Sequence, residues 1–136
     1  MKNLNRIWSL AFIFFSLFIG CERTAVDMIT NGDYKFWYKY QSTWPFPFFY
    51  YYDVNGVWKV FEMDGPFGFR EYSVDDDILY EHWKLIDDST MEENSLIFKI
   101  KYISTDTMIQ QTPAGTYDTL YAAPDSMIPK EFRHRW

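Results

Sequence analysis

The chain has 136 residues and a formal net charge of −6, with 48% hydrophobic, 24% charged and 22% aromatic residues. This length admits one domain once targeting sequence is set aside. The aromatic load excludes acidic disorder and collagen-like repeats, and a lone cysteine excludes a disulfide scaffold. No basic stripe is available to replace phosphate counterions, so no nucleic-acid partner is expected.

Residues 1–20 hold Lys2 and Arg6 but no acid, then an apolar run over 7–19 broken only by Ser9 and Ser16, then Gly20-Cys21. This is the pattern of an export signal peptide rather than of folded structure. A helix rising ~1.5 Å per residue over that run covers ~20 Å, short of the ~30 Å hydrocarbon core of a bilayer. The segment Leu17-Phe18-Ile19-Gly20-Cys21 resembles the lipobox of bacterial lipoproteins. The resemblance implies that Cys21 is lipidated, with palmitate or similar acyl chains, and becomes the mature N-terminus. A lipid anchor in the bacterial cell envelope, at the outer membrane and on its periplasmic or cell-surface face, follows as the expected localisation. Each buried CH₂ contributes roughly 0.8 kcal/mol, so several acyl chains hold a domain at the membrane durably. Beyond residue 20 the body carries a charge near −8, because the segment removed takes two basic residues with it. Residues 21–31 read as the lipidated cysteine and a short tether, since 22–31 keep no consistent period.

From residue 33 onward no segment keeps apolar residues at helical spacing for three turns. Short β-branched and aromatic runs recur between turn residues instead, the signature of an all-β sandwich or barrel. Strands are expected at about 33–41, 48–55, 57–63, 68–73, 78–87, 95–103, 107–112 and 117–122. Asn55-Gly56 predicts a type I′ turn joining the second and third strands directly. A two-residue loop would pair Tyr52 with Lys59, Tyr50 with Phe61 and Phe48 with Met63 on an inner face, and Tyr51 with Val60 and Phe49 with Glu62 on an outer one. Leu96, Phe98, Ile100 and Tyr102 alternate with Ile97, Lys99, Lys101 and Ile103, which gives that strand one apolar face. The stretches 87–90 and 104–106 carry turn chemistry. After Ala123 come Pro124 and Pro129 and a basic, aromatic ending, expected at 124–136 as a tail that either lies over the barrel or frays, with its three basic side chains near acidic loops.

The order of these features resembles the lipocalin-like lipoproteins common in Bacteroidetes. The resemblance spans residues 32–123. It rests on Phe36-Trp37-Tyr38, the aromatic second strand with its turn at Asn55-Gly56, the run from Ile78 through Trp83-Lys84-Leu85-Ile86-Asp87, and Ile100-Lys101-Tyr102-Ile103-Ser104-Thr105-Asp106-Thr107-Met108. It implies a single up-and-down antiparallel β-barrel of about eight strands, a form that either fills with side chains or holds one small ligand.

Catalytic chemistry is not expected. His82 and His134 are the only histidines and Cys21 the only cysteine, so no tetrahedral Cys/His zinc cage can form. Asp75-Asp76-Asp77 lacks calcium-loop spacing and reads as a solvated turn. There is no glycine-rich phosphate loop, and neither metal nor cofactor is implied. The informative feature is the stretch 34–52, in which twelve of nineteen residues are aromatic. Strand alternation sends Tyr50, Tyr51 and Tyr52 to opposite faces, so a barrel cannot point them all inward. Trp44, Phe46, Phe67 and Phe69 are the candidate ligand-binding residues, at a barrel mouth suited to a small apolar or saccharide ligand. Tyr51 and Trp58 are the candidate contacts for an envelope protein partner, should the chain act instead as an accessory subunit of an outer-membrane complex.

Overall fold

The computed structural model describes residues 23–65, 68–72 and 82–136. The export segment, Cys21, Phe67, the acidic run 75–77 and residues 78–81 of the fifth expected strand lie outside the described residues.

The stretch expected as a tether instead holds a helix, α1 (Ala25–Thr30). Its signal is local. The Thr24 hydroxyl accepts from the Asp27 backbone N–H at 3.1 Å while the Asp27 carboxylate accepts from the Thr24 N–H at 3.2 Å, a reciprocal capping box. Asn31 stops the helix in the left-handed region, and Gly32 follows with φ +79°. Val26 and Ile29, three residues apart, share the buried side.

Nine strands follow: β1 (Tyr34–Tyr40), β2 (Pro47–Asp53), β3 (Trp58–Asp64), β4 (Gly68–Glu71), β5 (Trp83–Asp87), β6 (Thr90–Glu93), β7 (Leu96–Ile103), β8 (Thr107–Gln111) and β9 (Tyr117–Ala122). They form one antiparallel sheet, in the order β4-β3-β2-β1-β9-β8-β7-β6-β5, curled into a half-barrel. The all-β reading therefore holds, and each expected strand has a counterpart. The sequence reading missed β6, whose four residues include Glu92 and Glu93. β4 and Val57 share the outer edge of β3: Phe61 to Asp64 pair with β4, while Val57 bridges His82 just before β5. The far end of the sheet is thus brought beside the residue that precedes β3.

The hairpin register differs from expectation by one residue. Tyr52 pairs with Trp58, Tyr50 with Val60 and Phe48 with Glu62. Asp53 is the cause. Its buried carboxylate Oδ1 accepts from the backbone N–H of Asn55 at 2.8 Å and of Val57 at 2.9 Å, and its own N–H donates to the Val57 carbonyl at 3.1 Å. That closes a three-residue loop with only Gly56 at positive φ, +85°. The two-residue turn with positive φ at both positions lies elsewhere, at Asn94-Ser95 between β6 and β7. A one-residue slip exchanges faces, so Phe61 and Lys59 lie with Tyr51 and Phe49, and Trp58 with Tyr52. Replacing Asp53 by Ala should lower stability by about 1–3 kcal/mol, since two loop N–H groups lose their acceptor. Asp53→Asn, which keeps the acceptor oxygen, should cost less; equal losses in urea denaturation would show that the turn does not depend on Oδ1.

Two clusters fill the opposite faces. Inside lie Ile29, Trp37, Tyr52, Trp83, Met91, Ile100, Met108 and Leu120. This face is the concave one, because the Tyr52 hydroxyl on β2 reaches Glu93 on β6, four strands intervening in the sheet. On the convex side of β1–β4, Phe36, Phe49, Tyr51 and Phe61 are buried with Ile128. The C-terminal segment covers them. Phe132 packs against Phe69 and Phe61 at 4.9 and 5.6 Å, and the Trp136 N–H donates to the Tyr51 hydroxyl at 3.1 Å. Of the two expected arrangements the tail takes the first and lies over the sheet, with Arg135 on Asp33 at 3.2 Å. Aromatics too numerous for the interior are accommodated because both faces of β1–β3 are buried.

Candidate functional site

The convex side continues past the C-terminal segment onto β1, β9, β8 and β7, where the tail no longer covers it. Register places the side chains. Tyr38 on β1 stands beside Tyr121 on β9, which stands beside Thr107 on β8. The next row is Thr119, Ile109 and Tyr102, and the next Tyr117, Gln111 and Lys99. Tyr40, Tyr102, Tyr117 and Tyr121 are 47–64% exposed, far more than ordinary core tyrosines, and Tyr38 sits between Tyr40 and Tyr121 at ring distances of 6.0 and 5.8 Å.

Tyr102 reaches this face through a bulge. Ile100 pairs with Gln110 but Tyr102 with Ile109, so Lys101 is an extra residue that turns Tyr102 outward and Ile103 inward. The expected alternation, which set Tyr102 with Ile100, is corrected by that single insertion. No carboxylate of these four strands points to the tyrosine face. Asp118 points inward, to Lys39 at 2.6 Å. In a chain of net charge −6, this face presents hydroxyls, amides and Lys99 instead.

Among the described residues, those expected to bind a ligand are not brought together at one mouth. Trp44 is exposed in the loop between β1 and β2, and Phe46 is half-buried beside Gly65. Phe69 belongs to the convex cluster, stacked on Phe61 at 5.2 Å and covered by Phe132. Phe67 lies outside the described residues. Nor do Tyr51 and Trp58 make an exposed contact surface. Tyr51 is 0% exposed under the C-terminal segment, and Trp58 packs on the inner cluster. The register slip at Asp53 turns Trp58 inward, and the tail covers Tyr51 and Phe69. Burial pushes the Tyr51 hydroxyl pKa well up, so it stays a neutral donor to Asp53 at 3.3 Å.

Inside, the described residues leave a polar group among apolar ones. Glu93 is fully buried, bonded to the Tyr52 hydroxyl, and desolvation raises its pKa to about 7, against the lowering effects of Tyr52 and Lys39. Tyr50 and Tyr52 are likewise pushed up by burial. Near α1, a cleft of about 300 Å³ is lined by Tyr34, Lys35, Thr105, Asp106 and Arg133 among others. Desolvation lowers Lys35 to about 8; its Nζ donates to the Met28 and Thr105 carbonyls and lies 3.9 Å from the Trp37 ring.

Among the described residues no three His, Cys, Asp or Glu side chains gather as a metal set, and no helix is long and apolar enough to cross a membrane. His82 sits in the bridge to Val57, and His134 lies against Trp136 at 4.5 Å. The chain was compared with family models, curated proteins and solved structures, and matches none of them.

Proposed function

We propose that this chain is a lipid-anchored protein of the bacterial cell envelope, held at the outer membrane through Cys21, that acts without catalysis as an accessory subunit docking a partner protein on its tyrosine face. One observation carries the reading: the concave side is occupied by the chain's own Trp37, Tyr52, Trp83, Met91 and Met108, while the uncovered wall displays Tyr40, Tyr102, Tyr117 and Tyr121. Tyrosine supplies rigid apolar area with a polar tip, and it is enriched where proteins bind one another. A lipocalin-like barrel of eight strands belongs to the same reading. Eight strands remain when the short β4 is set aside, and the Val57–His82 bridge, which brings the start of β5 beside the start of β3, supports it.

A second reading, saccharide stacking at the end of the sheet, draws on the exposed Trp44 in the loop that follows Tyr40. The two separate cleanly. Crosslinking in cells and affinity purification should recover one partner protein with the wild type and lose it with the combined Tyr40→Ala, Tyr117→Ala and Tyr121→Ala variant. Each exposed substitution should change stability by only about 0.5 kcal/mol or less. A partner retained by the triple variant, or a saturable tryptophan fluorescence response to a saccharide that disappears in Trp44→Ala, would overturn docking through the tyrosine face.

A further inference from the structure

Between Cys21 and Ala25, the first residue of α1, stand only Glu22, Arg23 and Thr24, and Thr24 is held by the capping box. Four extended steps cover at most ~14 Å. The helix they lead to is not a pendant. Ile29 is wholly buried, its carbonyl accepts from the Trp37 indole N–H at 2.9 Å, and the Lys35 ammonium ties the Met28 carbonyl to Thr105 in the β7–β8 turn. Just beyond α1, the Asp33 carbonyl accepts from the Val54 N–H of the β2–β3 loop at 2.9 Å. The point where the chain leaves for its anchor is therefore fixed at one end of the barrel, made of α1, residues 31–33, the 54–56 loop and the 104–106 turn.

The charges at this end differ from those of the whole. Arg23 is close enough to Lys35 to depress its pKa, Arg133 lines the adjoining cleft, and Arg135 rests on Asp33. Together with Lys35 they offset most of the charge of Asp27, Asp33, Asp106 and Asp125 at the same end and of Glu22, next to Arg23 in the chain. An acidic body this close to a bilayer is repelled by anionic headgroups unless its facing surface supplies cations.

We infer that the α1 end of the barrel is the membrane-contacting surface, seated against phospholipid headgroups with Arg23, Arg133 and Arg135 toward them; this rests on the lipid anchor at Cys21. β1, β9 and β8 then run away from the bilayer, so the tyrosine wall stands upright, and the Gln41 to Phe46 loop and the 112–116 turn lie ~20 Å farther out. A partner that reaches the wall approaches from the side.

The test uses the acylated protein in vesicles of phosphatidylethanolamine and phosphatidylglycerol. Acylation blocks the Cys21 thiol, so Thr105→Cys and Ala114→Cys each offer one site for a bimane label. A headgroup spin-labelled phospholipid should quench the label at 105 several-fold more than the label at 114, and a flexible insertion after Cys21 should erase the difference. Equal or reversed quenching on protein whose intact mass shows acylated Cys21 overturns the orientation alone. Absence of acyl mass on Cys21 in protein isolated from the host's membranes overturns the anchor and the orientation together.

Discussion

Glu93→Gln should flatten the pH dependence of stability and leave the protein more resistant than wild type to urea at pH 8. The carboxyl of Glu93 lies wholly inside the half-barrel, bonded to Tyr52, and desolvation raises its pKa to about 7 from an ordinary 4.5. Between those values the native state holds a proton that the unfolded chain has released, so stability falls as pH rises through this window. Below it both states are protonated and the effect vanishes; above it both are ionised and the loss is complete. The shift corresponds to roughly 3 kcal/mol, with the whole loss falling between about pH 4.5 and 7. Glutamine keeps an acceptor for the Tyr52 hydroxyl without the charge. Tyr52→Phe should act oppositely, because the Tyr52 hydrogen bond lowers the Glu93 pKa and its removal moves the window upward. Urea midpoints of wild type and Glu93→Gln taken from pH 4 to pH 8 measure the difference directly. Parallel curves would mean that the Glu93 carboxyl is not raised by its burial inside the half-barrel.

Glu93 also belongs to the strand least legible in the sequence. The long aromatic strands announced themselves by alternation, which is why β1, β2, β3, β7, β8 and β9 fall close to their expected ranges. β6 did not, because a four-residue strand ending in two glutamates looks like solvated loop unless one knows that Tyr52 waits across the interior for Glu93. That is a contact between positions 41 residues apart. Asn55-Gly56 drew the two-residue turn on composition, and Asp53 overrode it with two side-chain hydrogen bonds. The competing signal was present, since a turn-initiating aspartate just before the loop favours such bonds. Likewise Thr24 and Asp27, three residues apart, spell a capping box that the absence of helical periodicity over ten residues concealed. The location of the uncovered wall was not legible at all. Tyr51 and Tyr121 are both strand tyrosines in sequence, and only the docking of Ile128 and Phe132 decides that the first is buried and the second exposed.

Trp83→Ala should cost about 3–5 kcal/mol, a large share of the 5–15 kcal/mol that typically holds a domain together. The indole is buried, meets Tyr52 edge-on at 5.5 Å and donates from Nε1 to the Asp53 carbonyl at 2.9 Å. Its backbone N–H donates to the Gly56 carbonyl, also at 2.9 Å. These bonds and the neighbouring Val57–His82 bridge fasten β5, one end of the sheet, to the β2–β3 loop. Gly56 suits the joint twice over: its φ is +85°, and a Cβ there would lie 3.1 Å from the Trp83 carbonyl oxygen. Truncation removes the largest side chain at that seam and leaves the Asp53 carbonyl with only the Gly56 N–H, at 3.2 Å, as donor. Trp83→Phe separates the two effects, keeping most of the apolar burial while losing the N–H, and should cost only about 1–2 kcal/mol. Its signature is spatial. Amide exchange in β5 and β6 should accelerate well before that in β1 and β2, because the ends of the sheet part while its centre stays paired. Uniform acceleration across all strands, or a loss below about 1 kcal/mol for Trp83→Ala, would show that the half-barrel is not held shut at Trp83.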